Sequence, residues 1–229
     1  MGLIHLKLNR PKVINCSDSN FNEAINDSFS NVIIETEPDE KIVISDVTFD
    51  SCIFKNIDFS NIELNNVDLI DVIFDSCDLS NKEFNERLIS RVEFINCKLV
   101  GTTFIDSSIR DVLFNKCQAK YINFSNSIIN KVSIENTDLT DASFNCVKIN
   151  NINFSKNNFY RCEFLKTKLT NVDFSDSSIE GIIFDNYINR CILYETKKEI
   201  VAFRLERFYT IYYKSILGFK GLKMWRSLI

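Results

Sequence analysis

Residues 42–61 read IVISD VTFDS CIFKN IDFSN, four units of five residues with an apolar residue at the third place of each. From Ile44, every fifth residue through Phe184 is Phe, Leu, Ile or, at position 119, Ala, over 29 consecutive units without insertion. Fifteen of these central residues are Phe. A helix repeats about every 3.6 residues and a strand about every 2. The period of five therefore indicates a repeat architecture.

A second row of mostly small or β-branched residues lies two positions before each central residue, as in Val47, Cys52 and Ile57. Two inward residues separated by one outward residue describe a short extended segment, and the Ser, Asn and Asp that follow suit a tight turn. Sorted by a period of twenty, the central residues form two Phe-rich columns and two aliphatic ones. Such columns would fill a square cross-section. The sequence predicts an all-β solenoid with four-sided coils, about seven in number.

Several units resemble the Ala-(Asp/Asn)-Leu-X-X consensus of the pentapeptide-repeat family, among them Val67-Asp68-Leu69, Cys77-Asp78-Leu79-Ser80 and Thr137-Asp138-Leu139-Thr140. The resemblance covers about 145 residues and implies a right-handed quadrilateral β-helix. The chain departs from the consensus in its Val and Cys at the Ala position and its heavy use of Phe. These departures change packing detail and not topology.

Three parts follow from this period: an N-terminal cap (1–41), the repeat β-helix (42–186) and a C-terminal segment (187–229). An open first coil needs a cover, because its unpaired backbone groups would otherwise pair with another chain. Residues 17–30 suit either a short helix or a degenerate first coil, and both interpretations stay open.

The C-terminal segment has apolar residues at three- and four-residue intervals, which predicts an amphipathic α-helix from Glu195 to Leu217. The residues that form this apolar stripe are Val201, Leu205, Phe208, Tyr212 and Ile216. Such a helix covers the last coil or pairs with a second copy, as in family members that dimerise through their C-terminal ends. We expect a homodimer, with the capping role as the alternative.

Charge is unevenly distributed, although the net charge is only −4. Residues 35–80 hold twelve acidic and two basic residues, whereas residues 81–190 hold 13 acidic and 14 basic ones. The candidate partner-binding surface is therefore acidic, and it consists of Asp50, Asp58, Glu63, Asp68, Asp71, Asp75 and Asp78. A rod that presents regularly spaced carboxylates competes for a basic DNA-binding surface, while its charge disfavours direct binding of nucleic acid.

The family resemblance adds a specific partner, because several bacterial members resemble B-form DNA and bind the type II topoisomerase DNA gyrase. Those members protect gyrase from quinolones or peptide toxins. By resemblance, the expected function is non-catalytic binding of gyrase in antibiotic resistance or immunity. The alternative is a structural or adaptor repeat protein, or an effector, with an unrelated protein partner.

Two charged residues interrupt the second inward row, Lys82 and Arg87. Because an unpaired buried cation is strongly unfavourable, either the backbone bulges here or Glu83, Glu86 and Glu93 pair with these side chains. The pair marks either a tolerated irregularity or a recognition site on the rod.

The remaining residue types give no sign of catalysis. Cys77, Cys97 and Cys117 stand twenty apart and should stack, but the chain has no CxxC pair and only one histidine, His5. We therefore expect free buried thiols, no metal, no cofactor and no enzymatic activity. The absence of a signal sequence and of a long apolar run predicts a cytoplasmic protein without a membrane span.

Overall fold

The computed structural model describes residues 6–27, 29–170, 172–184, 188–189, 191–195, 198–205 and 208–215, with backbone alone beyond Phe184. The chain forms a parallel β-solenoid of about eight turns. Successive coils stack with an offset of twenty residues, so that Phe54 pairs with Phe74 and Phe74 with Phe94. The four-sided coil predicted from the column sorting is confirmed.

The regular elements are short, as a solenoid of five-residue sides requires. Those of the N-terminal half are β1 (Ser17–Ser19), α1 (Phe21–Asp27), β2 (Val32–Ile34), β3 (Ile42–Ser45), β4 (Thr48–Asp50), β5 (Ile53–Lys55), a 3₁₀ helix (Phe59–Asn61), β6 (Ile62–Asn65), β7 (Asp68–Asp75) and β8 (Leu88–Ile95). The remaining elements are β9 (Ser108–Asn115), β10 (Ile128–Glu135), β11 (Lys148–Ser155), β12 (Glu163–Phe164), β13 (Leu169–Thr170), β14 (Ile183–Phe184), β15 (Ile188–Asn189), β16 (Cys191–Glu195), β17 (Lys198–Leu205) and β18 (Phe208–Ser215).

The largest sheet runs in the order β1-β2-β5-β7-β8-β9-β10-β11, with β4 also paired to β7. Strands β7 to β11 each have eight residues and therefore span two sides of their coil. Their bend lies at a residue with positive φ, for example Asp71 (55°), Arg91 (54°) and Asp111 (54°).

Left-handed corner residues recur every five positions from Asp46 to Lys166, with the sole exception of Asn61 in the 3₁₀ helix. After glycine, Asn and Asp tolerate this conformation best, which explains their abundance at the corners. Larger residues such as Tyr121 (60°) occupy it as well. Their backbone strain is offset by the ladder of hydrogen bonds between adjacent coils.

The core is a stack of rings inside the coil. Every central residue from Ile44 to Phe144 is buried. Phe74 and Phe94 stack with ring centroids 5.2 Å apart, and Phe104 and Phe124 stack at 5.3 Å in the second column. The two columns meet edge to face, as in the Phe94–Phe104 contact at 75°. The predicted pair of facing Phe columns is therefore confirmed, in a geometry that aromatic rings prefer.

Polar residues of the second inward row are satisfied by one repeated contact. Cys97, Thr102 and Ser107 each donate to the carbonyl 23 residues earlier, at 3.3, 2.9 and 2.6 Å. The described cysteines are free thiols, and five of them are buried as predicted, whereas Cys16 is half-buried and Cys146 is exposed. Burial raises the pKa of the Cys52 thiol to about 12 and that of the Cys117 thiol to about 11. These thiols are therefore packing groups that stay protonated.

At the N-terminal end, the first coil and a helix occur together. Strand β1 pairs with β2, with Ser17 opposite Val32. Helix α1 buries Phe21 and Ala24 over the open end, where the Phe21 ring lies 6.1 Å from that of Phe54. Both interpretations of residues 17–30 are therefore realised, and the solenoid begins before the five-residue period does.

At the C-terminal end the register changes. Leu169 pairs with Ile188, nineteen residues on, and the following strands β16, β17 and β18 are antiparallel. The predicted helix is wrong for residues 198–205 and 208–215, whose backbone is extended. Their many Val, Ile, Phe, Thr and Tyr residues favour strands over a helix.

For the residues of the predicted apolar stripe, the structure gives only the pairing of their backbones. Val201 pairs with Tyr212 and Leu205 with Phe208, while Ile216 lies outside the described residues. Dimerisation through residues 187–229 stays a prediction.

Candidate partner-binding surface

The seven predicted carboxylates are distributed over all four sides of the coil. Their central neighbours are Phe49 for Asp50, Phe59 for Asp58, Leu64 for Glu63, Leu69 for Asp68 and Asp71, Phe74 for Asp75 and Leu79 for Asp78. The carboxylates therefore surround the N-terminal end of the rod and do not line one face along it. We name the nine acidic residues from Glu35 to Asp68 the acidic collar: Glu35, Glu37, Asp39, Glu40, Asp46, Asp50, Asp58, Glu63 and Asp68.

The collar is exposed, apart from the half-buried Asp68. Two of its members have a cation partner, since Lys41 lies 3.3 Å from Glu63 and Lys55 lies 2.6 Å from Glu35. Within the described residues Asp50 and Asp58 have no ion pair. The Asp58 carboxylate accepts instead from the backbone N–H of Ser60 at 2.8 Å, as the N-cap of the 3₁₀ helix.

Three predicted residues lie just beyond the collar and are less accessible. Asp78 pairs with Lys98 at 3.1 Å and also accepts from the Ser80 hydroxyl at 2.6 Å. Asp75 is half-buried and accepts from Ser76. Asp71 is only 6 % exposed, because residues from the chain's own N-terminus cover it. Asp71 therefore does not belong to an open partner-binding surface.

The segment that covers Asp71 comprises residues 6–16, which we name the strap. The backbone N–H of Lys12 donates to Asp71 Oδ1 at 2.9 Å. Arg91 donates to both oxygens of the same carboxylate, each at 2.7 Å. Burial alone would raise the pKa of Asp71, but these donors outweigh it and hold the pKa below its usual value.

Two further buried carboxylates lie under the strap. Glu93 is 4 % exposed and accepts from Arg10 Nη2 at 2.9 Å, with the Arg10 Nε in contact as well. Asp111 is 3 % exposed and accepts from the Asn9 backbone N–H and side-chain amide, both at 3.0 Å. Burial raises the pKa of Glu93, and Arg10 only partly offsets that effect.

Sequence reasoning missed the strap, although a signal for it exists. On one side of the rod, the outward position before the central residue is apolar in several coils where other sides carry polar residues. The apolar residues in this column are Ile33, Ile53, Ile73 and Leu113. Leu113 is only 7 % exposed. An apolar run on the outer face of a solenoid indicates that another segment covers it.

The charged interruption at Lys82 and Arg87 has a different explanation from the two expected. Both neighbouring corners, Asn81 and Glu86, keep the usual positive φ (58° and 59°), so the backbone does not bulge. Lys82 Nζ donates to the Ile62 carbonyl at 2.7 Å, and Arg87 Nε donates to the Asn85 carbonyl at 3.1 Å. Backbone carbonyls thus take the place of water around these cations, and among the described residues neither cation forms an ion pair with Glu83, Glu86 or Glu93.

Within the part of the chain that the structure describes, no group of three His, Cys, Asp or Glu side chains is placed to hold a metal ion. The same residues include no helix of the length and apolarity needed to cross a membrane.

Comparison with family models gives two matches. A model described as "Pentapeptide repeat region" matches residues 67–144, and one described as "Pentapeptide repeats (8 copies)" matches residues 44–81 and 147–176. Comparison with curated proteins gives no match.

The solved structures that match this chain include proteins of different roles. Full-length QnrB1, a plasmid-mediated fluoroquinolone resistance protein, is 19% identical over 75% of this chain and 90% of its own, with a TM-score of 0.32. HetL, involved in heterocyst differentiation regulation in the cyanobacterium Nostoc, is 11% identical over 78% of this chain and 91% of its own, with a TM-score of 0.31. A pentapeptide repeat protein of the Arabidopsis thaliana thylakoid lumen is 20% identical over 44% of this chain and 63% of its own, with a TM-score of 0.25.

Proposed function

The chain belongs to the pentapeptide-repeat family, and from this premise we propose that it is a non-catalytic scaffold that binds a basic protein partner through the acidic collar. The observation that carries the proposal is the exposure of collar carboxylates such as Asp50 and Asp58, which lack an ion pair among the described residues. Unpaired surface carboxylates on one end of a rod attract a positively charged surface and steer its approach.

Rigidity supports the same proposal. Each coil is bonded to the next through a regular ladder of backbone hydrogen bonds, for example Asp46 N–H to the Asn65 carbonyl at 2.9 Å. The collar side chains project from this backbone, so binding orders side chains and not the main chain. A preorganised surface of this kind loses little conformational entropy on association.

For the specific partner we propose the DNA-binding surface of a type II topoisomerase, DNA gyrase, in a resistance or immunity role. The collar concentrates nine carboxylates around the N-terminal coils of the rod, and such a cluster of negative charge can replace DNA phosphates on a basic surface. Because the collar surrounds the N-terminal coils, the contact would be made around this end of the rod and not along its whole length. The second candidate is an adaptor or effector with an unrelated basic partner, which the same collar also suits.

A gyrase supercoiling assay with stoichiometric full-length protein, with and without a quinolone, separates the two candidates. We expect the wild-type protein to inhibit or protect gyrase, and Asp50→Lys with Asp58→Lys to abolish the effect. Asp106→Lys is the control, because Asp106 is an exposed aspartate outside the collar. An inactive wild-type protein would exclude gyrase as the partner and leave the adaptor function.

A further inference from the structure

The strap runs along the rod axis, because its contacts pass from one coil to the next. Cys16 Sγ donates to the Ser51 carbonyl at 3.2 Å, Lys12 binds Asp71 and Asn9 binds Asp111. Positions 71 and 111 are two coils apart, about 10 Å at the usual strand spacing. Three extended residues span the same distance. The stretch from Asn9 to Lys12 is therefore matched to the two coils beneath it.

The groove under the strap recognises two kinds of donor. The N–H groups of Asn9 and Lys12 are backbone groups, which any extended segment offers. The side chains of Asn9 and Arg10 add specificity, because they bind the nearly buried Asp111 and Glu93. The groove thus binds the backbone N–H groups of a segment together with the side chains of an Asn-Arg pair.

The groove also continues past the strap toward the C-terminal coils. A cavity of about 630 Å³ begins beside Leu6 and Leu8, and its floor includes Leu113 and Ser133. Glu135, Asn153 and Asp173 line its more distant part. An extended segment longer than the described strap would have room here.

We propose that this groove is a peptide-binding site for an arginine-bearing extended segment of a protein partner, and that the strap is its intramolecular occupant. The strap joins the solenoid at Asn15, a residue with positive φ (59°), and coil pairing starts only at Ser17. The strap can therefore leave the groove without breaking a coil. This site is separate from the acidic collar and does not depend on gyrase.

Direct binding of a probe peptide to the full-length protein tests the proposal. The probe is a fluorescein-labelled peptide with the sequence of residues 6–16 and serine in place of Cys16, followed by fluorescence anisotropy. In the wild-type protein the tethered strap competes at a high effective concentration. We expect Asn9→Ala with Arg10→Ala to weaken the strap and tighten probe binding by about tenfold or more.

Substitutions in the groove provide the second part of the binding experiment. Adding Glu93→Gln and Asp111→Asn to the strap variant should abolish probe binding, whereas adding Asp46→Asn should leave it unchanged. Thermal melting identifies variants that remain folded, and Asp111→Asn alone replaces the pair if the pair unfolds. Probe binding that is no tighter in the strap variant, or that survives the groove substitutions in a folded protein, overturns the proposal.

Discussion

The carboxylates under the strap and those of the collar are the same residue types in equivalent positions of the coil, yet their surroundings are opposite. Asp111 and Asp46 are both corner residues, with φ of 54° and 57°. Asp111 is buried under the strap and bound by Asn9, whereas Asp46 is exposed. The five-residue period thus decides where a carboxylate lies on the rod. A segment outside the period decides whether a partner can reach it.

The largest loss of stability is expected from a substitution in the Phe core, because this core supports both the collar and the carboxylates under the strap. Phe124 is 1 % exposed and stacks between Phe104 at 5.3 Å and Phe144 at 4.9 Å. Phe124→Asp removes these contacts and buries a charge, which should cost more than the about 3–5 kcal/mol of a Phe→Ala change in a core. We expect no cooperative transition in a thermal melt followed by circular dichroism.

Phe124→Leu serves as the control, because it keeps the site apolar and should lower the melting temperature without abolishing folding. If Phe124→Asp melted like the parent protein, the inward assignment of the Phe columns would be wrong. The two carboxylate regions would then not share one rigid support.

The core was predictable from the sequence because each position in it obeys a local rule. The inward orientation of Phe74 and Phe94 follows from the five-residue period, and their stacking follows from the twenty-residue coil. The free thiol of Cys97 also follows, since its position is that of a small buried residue. Such features need no information beyond the repeat.

The strap and the C-terminal strands were not predictable in this way, because they depend on contacts between distant or non-periodic residues. Asn9 and Asp111 are 102 positions apart, and no local pattern connects them. Asp71 was therefore assigned to an open acidic surface that the strap covers. In the C-terminal segment, the three- and four-residue spacing of Val201, Leu205 and Phe208 suggested a helix, whereas the backbone pairs Leu205 with Phe208.

A smaller loss of stability should distinguish a carboxylate under the strap from one in the collar. Asp111→Ala removes the acceptors of two Asn9 donors and should destabilise the protein by about 1–2 kcal/mol. Asp46→Ala removes only an exposed hydrogen bond from Asn66 and should cost clearly less. Both changes place alanine at a positive φ, so that backbone cost cancels in the comparison. Chemical denaturation with urea measures the difference, and equal losses would show that the contact between Asn9 and Asp111 contributes nothing to stability.

The smallest effect is expected in the pH dependence of the covered region. The hydrogen bonds from Arg91 and Lys12 hold the folded-state pKa of Asp71 below its ordinary value of 3.8. The unfolded chain therefore takes up this proton first as the pH falls, so the contribution of Asp71 to stability is present above that value and is lost below it. Melting temperatures of the wild-type protein and Asp71→Asn, measured between about pH 6 and pH 2.5, should converge at the acid end. Curves that stay parallel would mean that Asp71 is ionised equally in the folded and unfolded states, and that the strap and Arg91 do not lower its pKa.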